Sequence, residues 1–356
     1  MSAAAASGTA RRYLLRLAPD GRGGLDAGVE RGGPQSLLHV MRGRTIDEAT
    51  RFAGVLFPLC PRAHQAAFLR AAEAALGVHL PPEQAAAREM VVLAEAVAAG
   101  VWREALSWPT LSGAPSSPGP VRAARAASED ILRAVYADDW ARLGGAAVRL
   151  DPPALAQSVH ALRGAVAALG EASVFLPAND ADAFDVALDG TRPLGEAIWR
   201  AELTEAASGL EETPRALHLI GEVASAPVAA WYLAQHRHLL ALTEDLATLS
   251  DILEPSAALD VLPRDHAGTG LGVAITARGR LRHAVSIENG RIADWRAAAP
   301  TDWNFAAGGP VARAARRLAP GPGLQTRARR LVGAFDPCAP CGVVVAANLR
   351  GEAAHA

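Results

Sequence analysis

From about Pro34 to about residue 250, apolar residues recur at the three- and four-residue intervals of a helix. A chain patterned this way buries its apolar stripes by packing helix on helix, and its many alanines allow close approach. The clearest case is "PRAHQAAFLRAAEAALG", Pro61 to Gly77, where His64, Phe68, Ala71 and Ala75 share one face. Gly77 supplies a natural C-terminal stop. Pro82 to Trp102 predicts a second helix, opened by a proline and a glutamate. Further helices are expected over roughly 123–140, 154–169, 194–207 and 227–249. Thr110 to Pro120 reads as a loop, because it is dense in Pro, Gly and Ser.

The period changes near Pro263. Gly270 to Asn304 alternates as strands do, and Asn289-Gly290 marks a hairpin turn. Leu281, His283, Val285 and Ile287 then share one face of the incoming strand. A short strand is predicted at Arg11 to Pro19, ended by "PDGRGG", and short helices at Val311 to Leu318 and Thr326 to Phe335. The fold class is therefore α+β, mainly α-helical, with a small peripheral β element. The expected organisation is a flexible N-terminus over 1–9 and a single domain over 10–356. Within that domain the helical core spans about 34–250, and the hairpin and C-terminal segment about 263–356.

A net charge of -2 leaves no basic footprint, which argues against nucleic acid as a partner. The arginine-rich run from Arg316 to Arg330 reads as a solvated surface. No stretch has the apolar length that crosses a bilayer, so membrane insertion is not expected. Three cysteines are too few for a disulfide framework, and a reducing, cytoplasmic setting follows.

Those cysteines carry the chemistry. Pro61 at the first helical position puts Cys60 at the N-cap, where unpaired backbone N–H groups and the helix dipole favour a thiolate. His64 lies one turn on, on the same side. The alternative is a buried thiol beside a satisfied core histidine. Cys338 and Cys341, in "DPCAPC", have the spacing to chelate one metal or to form a redox disulfide. Too few residues follow Cys341 to build a thioredoxin unit. If the ends of the chain meet, Cys60, Cys338 and Cys341 offer three soft ligands for zinc, iron or nickel, with His64 a candidate fourth. On spacing alone a structural zinc site is favoured.

Three blocks in order resemble the large subunit of nickel–iron hydrogenases. They are "RGRTIDEATRFAGVLFPLCPRAH" (Arg42 to His64), "ITARGRLRHAVSIENGRIADWRAAAPTDWN" (Ile275 to Asn304) and "FDPCAPC" (Phe335 to Cys341). The resemblance implies a hydrogenase-large-subunit-like helical core. It also implies that Cys60 and Cys341 stand where that family's cysteines bridge nickel and iron, and Cys338 where one binds nickel alone. The fourth cysteine falls at Phe57, Val344 replaces a C-terminal histidine, and the proton-relaying glutamate has no counterpart. A kept iron side and a damaged nickel side resemble the HupK/HoxV type of hydrogenase accessory protein. This implies a non-enzymatic scaffold that transiently holds or transfers an Fe(CN)2(CO) fragment through Cys60, Cys338 and Cys341. His64 would orient the thiolate, and Arg278 would donate to cyanide nitrogens. Zinc could bind in isolation. The implied partners are hydrogenase maturation chaperones and the large-subunit precursor. Two alternatives are a cofactor-free or zinc-binding chaperone and a degenerate hydrogenase-like enzyme. Residue by residue, the rival reading of Arg278 is an ion pair with Glu288 or Asp294. Trp303 and Asn304 read as packing residues, while His236 and His238, two apart on a predicted helix, read as non-ligands.

Overall fold

A computed structural model describes residues 11–33, 37–169, 228–258 and 268–346. The helix expected over 194–207 and the N-terminus over 1–9 lie outside these residues. Two strands open the described chain, β1 (Arg12–Pro19) and β2 (Leu25–Gly32), paired antiparallel. A short α1 (Leu38–Met41) leads to α2 (Ile46–Leu56), whose start is a capping box between Thr45 and Glu48. Helix α3 (Pro61–Leu76) begins at its proline and ends at Gly77, which takes the left-handed conformation at φ 66°. That conformation lets Val78 N–H reach the Glu73 carbonyl at 2.9 Å.

Helix α4 (Pro82–Trp102) has the bounds its pattern predicts. It runs through a π-helical turn, Arg103–Ser107, into α5 (Trp108–Ser112), which takes up the start of the expected loop. Helix α6 (Pro118–Val135) begins earlier than predicted, because prolines in a first turn lack only N–H groups that have no helical partner anyway. Asp151 caps α7 (Pro152–Ala167) through the Ala154 N–H, and α8 (Val228–Ile252) matches the last predicted long helix.

Strands β3 (Gly268–Thr276), β4 (Gly279–Glu288) and β5 (Arg291–Ala298) form one antiparallel sheet in that order. Asn289 and Gly290 turn the β4–β5 hairpin with φ of 50° and 70°, and Leu281, His283, Val285 and Ile287 are all buried. This sheet is not peripheral. A Cβ on Gly268, Gly270 or Gly272 would stand 2.0–2.1 Å from the carbonyl oxygens of Ala75, Ala71 and Ala67, so β3 lies directly on the backbone of α3.

After β5 come α9 (Pro300–Asn304), α10 (Pro310–Ala315) and α11 (Leu324–Ala334). The described chain ends in β6 (Cys341–Val345), which pairs parallel with β1 so that Tyr13 lies opposite Cys341 and Leu17 opposite Val345. The first and last strands of the described chain therefore meet in a sheet ordered β2-β1-β6. Its inner face (Tyr13, Leu15, Leu17) packs with Phe305, Val311 and Leu331. A larger core unites α2 to α4 and α6 to α8 with the glycine-faced sheet. No helix among the described residues is long and apolar enough to cross a membrane.

Candidate functional site

Cys60 is the N-cap of α3, as its proline implies, but its side chain makes no capping bond. The helix N–H groups go instead to Glu95 on α4, whose two carboxylate oxygens accept from Arg62 N–H at 2.9 Å and Ala63 N–H at 3.0 Å. Of the two readings of Cys60, the geometry favours the buried thiol over the dipole-activated thiolate. The Cys60 thiol is pushed up to about 12, by burial first and then by the negative charges of Glu95 and Cys338; only the Arg278 guanidinium pulls the other way.

Glu95 itself is raised to about 7, because burial outweighs the two N–H groups it accepts. A carboxyl raised in the folded state contributes stability that is full below about pH 4.5 and is lost as pH rises through 7. The unfolding free energy of the wild type, relative to Glu95→Gln, is thus expected to fall by on the order of 2 kcal/mol across that window and then level off. Urea titrations of both proteins at a series of pH values measure this; parallel curves would refute it.

His64 is buried at 3 % exposure, with its ring stacked on Phe57 at 3.6 Å and 7°. Its Nδ1 lies 2.9 Å from Nε2 of His283 on β4, and the Trp295 indole N–H of β5 donates to His283 Nδ1 at 3.1 Å. Burial holds His64 well below the usual imidazole range and lowers His283 to about 3, so both rings are neutral. His64 thus has a satisfied nitrogen, as the bland reading of it required. Toward Cys60 its backbone N–H donates to the Cys60 carbonyl at 3.2 Å.

The C-terminal pair is held from three directions. Asp336 enters the motif with a positive φ of 42°. Cys338 N–H donates to Thr301 Oγ1 at 3.1 Å, and Tyr13 N–H donates to the Pro340 carbonyl at 2.9 Å. Cys341 opens β6, and burial raises its thiol to about 11. All three cysteines are free and half-buried. The fold brings Cys60 within electrostatic reach of Cys338 and Arg278. It does not gather a finished cage: among the described residues, no three His, Cys, Asp or Glu side chains converge to hold a metal ion.

Arg278 pairs with neither Glu288 nor Asp294. Its Nε donates to the Asp336 carbonyl at 2.8 Å and lies 3.0 Å from the Asp336 carboxylate. Behind Asp336 stand Arg103 at 3.8 Å and then Glu104, 3.4 Å from Arg103 and 2.7 Å from His236 Nδ1. A line of buried charges from the π-helical turn therefore backs the CxxC and fixes the guanidinium.

A family model described as nickel-dependent hydrogenase matches residues 220–344. The chain is 32% identical over 335 residues to the hydrogenase expression/formation protein HupK of Azotobacter vinelandii, spanning 88% of this chain and 92% of that one. The chain belongs to the HupK family. A second member, HupK of Bradyrhizobium diazoefficiens, is 32% identical over 314 residues, or 80% of this chain and 82% of its own length. In fold, this HupK-family chain is similar to a glycine-to-serine variant of the NiFeSe hydrogenase from Desulfovibrio vulgaris Hildenborough. The TM-score is 0.69 over 93% of this chain and 99% of that chain, at 14% identity. The large-subunit-like α+β fold is thus shared far beyond recognisable sequence identity.

Sequence reasoning missed several residues of this HupK-family site. His283 carried a legible signal, a polar residue on the inward face of an otherwise apolar strand, which calls for a buried partner. Thr301 lies inside the quoted stretch from Ile275 to Asn304, which gives no local sign of its bond to Cys338. Glu95 gave no local signal, and Asp336, visible in "DPCAPC", gave none of its partner, because each acts on a segment distant in sequence.

Proposed function

We propose that this protein takes part in hydrogenase assembly as a non-catalytic scaffold, transiently holding or handing on the Fe(CN)2(CO) fragment for the large subunit. The observation that carries this reading is that the free Cys60 thiol lies within electrostatic reach of Cys338 and of the Arg278 guanidinium, which Asp336 fixes. Phe57 fills the position that the family resemblance assigns to a fourth thiolate, and this favours an accessory role over turnover. The names of the relatives, all hydrogenase expression/formation proteins, point the same way. Thiols kept protonated by burial must release protons to bind a metal, and ligands not gathered in advance must move to close on it. Both costs weaken holding and suit release.

Anaerobic purification after co-expression with the maturation machinery, followed by infrared spectroscopy, tests this. CO and CN bands are expected on the wild type and are lost in Cys60→Ala. Zinc as the sole metal, with no such bands, would overturn the reading. The burial of Cys60 as a thiol, with its helix N–H groups taken by Glu95, suits a second reading, a chaperone that binds partner proteins with zinc or with no metal. Cysteine-to-alanine variants that still support full hydrogenase maturation would select it.

A further inference from the structure

The His64–His283–Trp295 line decides a question that ligand spacing left open, namely whether His64 is a metal ligand or a hydrogen-bond donor. An indole nitrogen can only donate. Trp295 Nε1–H points at His283 Nδ1 across 3.1 Å, so that nitrogen must present its lone pair. The single ring proton of His283 then sits on Nε2, 2.9 Å from His64 Nδ1. Two N–H groups cannot face each other at that distance, so His64 Nδ1 is the acceptor and the proton of His64 sits on Nε2. Counting donors and acceptors alone excludes an imidazolium at either position. The geometry is rigid: His283 is fully buried, Trp295 is 4 % exposed, and the Phe57 ring lies flat on His64. Among the described residues no side chain or carbonyl accepts a hydrogen bond from His64 Nε2, and this nitrogen is not one of the fully buried polar atoms, so it stays open to a ligand.

We propose that Trp295 and His283 are positioning residues that lock His64 into its Nε2–H form, making His64 a hydrogen-bond donor to the bound cargo and barring it from coordinating metal through Nε2. The tautomer stands on the geometry by itself; the identity of the cargo rests on the reading under Proposed function. The closing step moves no electrons and breaks no covalent bond. It forms one hydrogen bond from Nε2–H to an anionic acceptor, of which a cyanide nitrogen is the expected kind.

Nitrogen-15 NMR of the full chain, labelled at histidine and free of metal, tests the lock. In the wild type, His64 is expected to show an unprotonated Nδ1 resonance well downfield of its Nε2. His283→Gln keeps an N–H donor toward His64 and should preserve that pattern. His283→Leu removes it and should give mixed tautomers, as should Trp295→Phe, which frees His283 to turn its proton around. An Nδ1–H form in the wild type, or an unmixed Nε2–H form in both His283→Leu and Trp295→Phe, would overturn the proposal. Trp295→Phe keeps the test open if the leucine variant does not fold. On protein loaded as described above, the cyanide bands should shift in His283→Leu and stay in place in His283→Gln. Identical bands in all three proteins would refute donation to the cargo. A wild type with no bands would refute the scaffold reading, while the apo spectra would still decide the lock.

Discussion

Gly270→Ala is expected to cost about 3 kcal/mol or more of stability, at the upper end of what overpacking does. Its Cβ would stand 2.1 Å from the Ala71 carbonyl oxygen and 2.4 Å from the Ala75 nitrogen. Both are helix backbone, so no side chain can swing aside; strand and helix must separate. Because β3 touches α3 along three alternate glycines, a shift at the middle one moves the whole sheet. That sheet carries His283, and the β3–β4 turn carries Arg278, while α3 carries Cys60 and His64. The damage should therefore reach the site as well as the melting curve. Gly164→Ala, inside α7 with nothing within 4 Å of the new methyl group, is the control, and it should stabilise by about 0.5–1 kcal/mol. Urea midpoints of the two variants measure the contrast. A Gly270→Ala protein as stable as the wild type would show that β3 and α3 do not lie in contact.

The second large effect is expected at Arg88→Met. Arg88 and Glu73 are 1 % and 5 % exposed and form a two-pronged pair at 2.7 and 2.9 Å between α4 and α3. Removing one partner strands a buried carboxylate, a change that costs about 3–5 kcal/mol. The double variant Glu73→Leu/Arg88→Met should recover part of that loss, because the pair itself is close to neutral against apolar packing. Recovery should fall short by about 1–3 kcal/mol, since Gly144 N–H and the Arg142 carbonyl, which bond to Glu73 and Arg88, are left unpaired. A double-mutant cycle in urea measures both numbers. A single-variant cost under about 1 kcal/mol would mean that the pair is not desolvated as the structure has it.

Much of the local architecture was legible. Pro61 and Gly77 bounded α3, Pro82 opened α4, and Asn289-Gly290 turned the β4–β5 hairpin, because caps and turns are chosen by residues within a few positions of one another. Beyond α4 the chain stays helical through a turn that buries Arg103 and Glu104 and into α5, which takes up the start of the loop expected from Thr110. Strand β2 was too mixed in composition to read, and β6 is a short apolar run that becomes a strand only beside β1. In the same way nothing local marks the three glycines of β3 as the contact surface for α3.

The sequence by itself determined which side chains could do chemistry: Cys60 behind its proline, His64 one turn on, and Cys338 and Cys341 at CxxC spacing beside an acidic residue. It also determined that a phenylalanine stands three positions before Cys60. Only the tertiary structure decided their chemical state. It gave the helix N–H groups to Glu95 rather than to the Cys60 sulfur, tied Arg278 to Asp336, and set the tautomer of His64 through His283 and Trp295. The reason is physical. Secondary structure answers to neighbours in the chain, but a buried polar group answers to whichever donor, acceptor or charge the fold brings beside it.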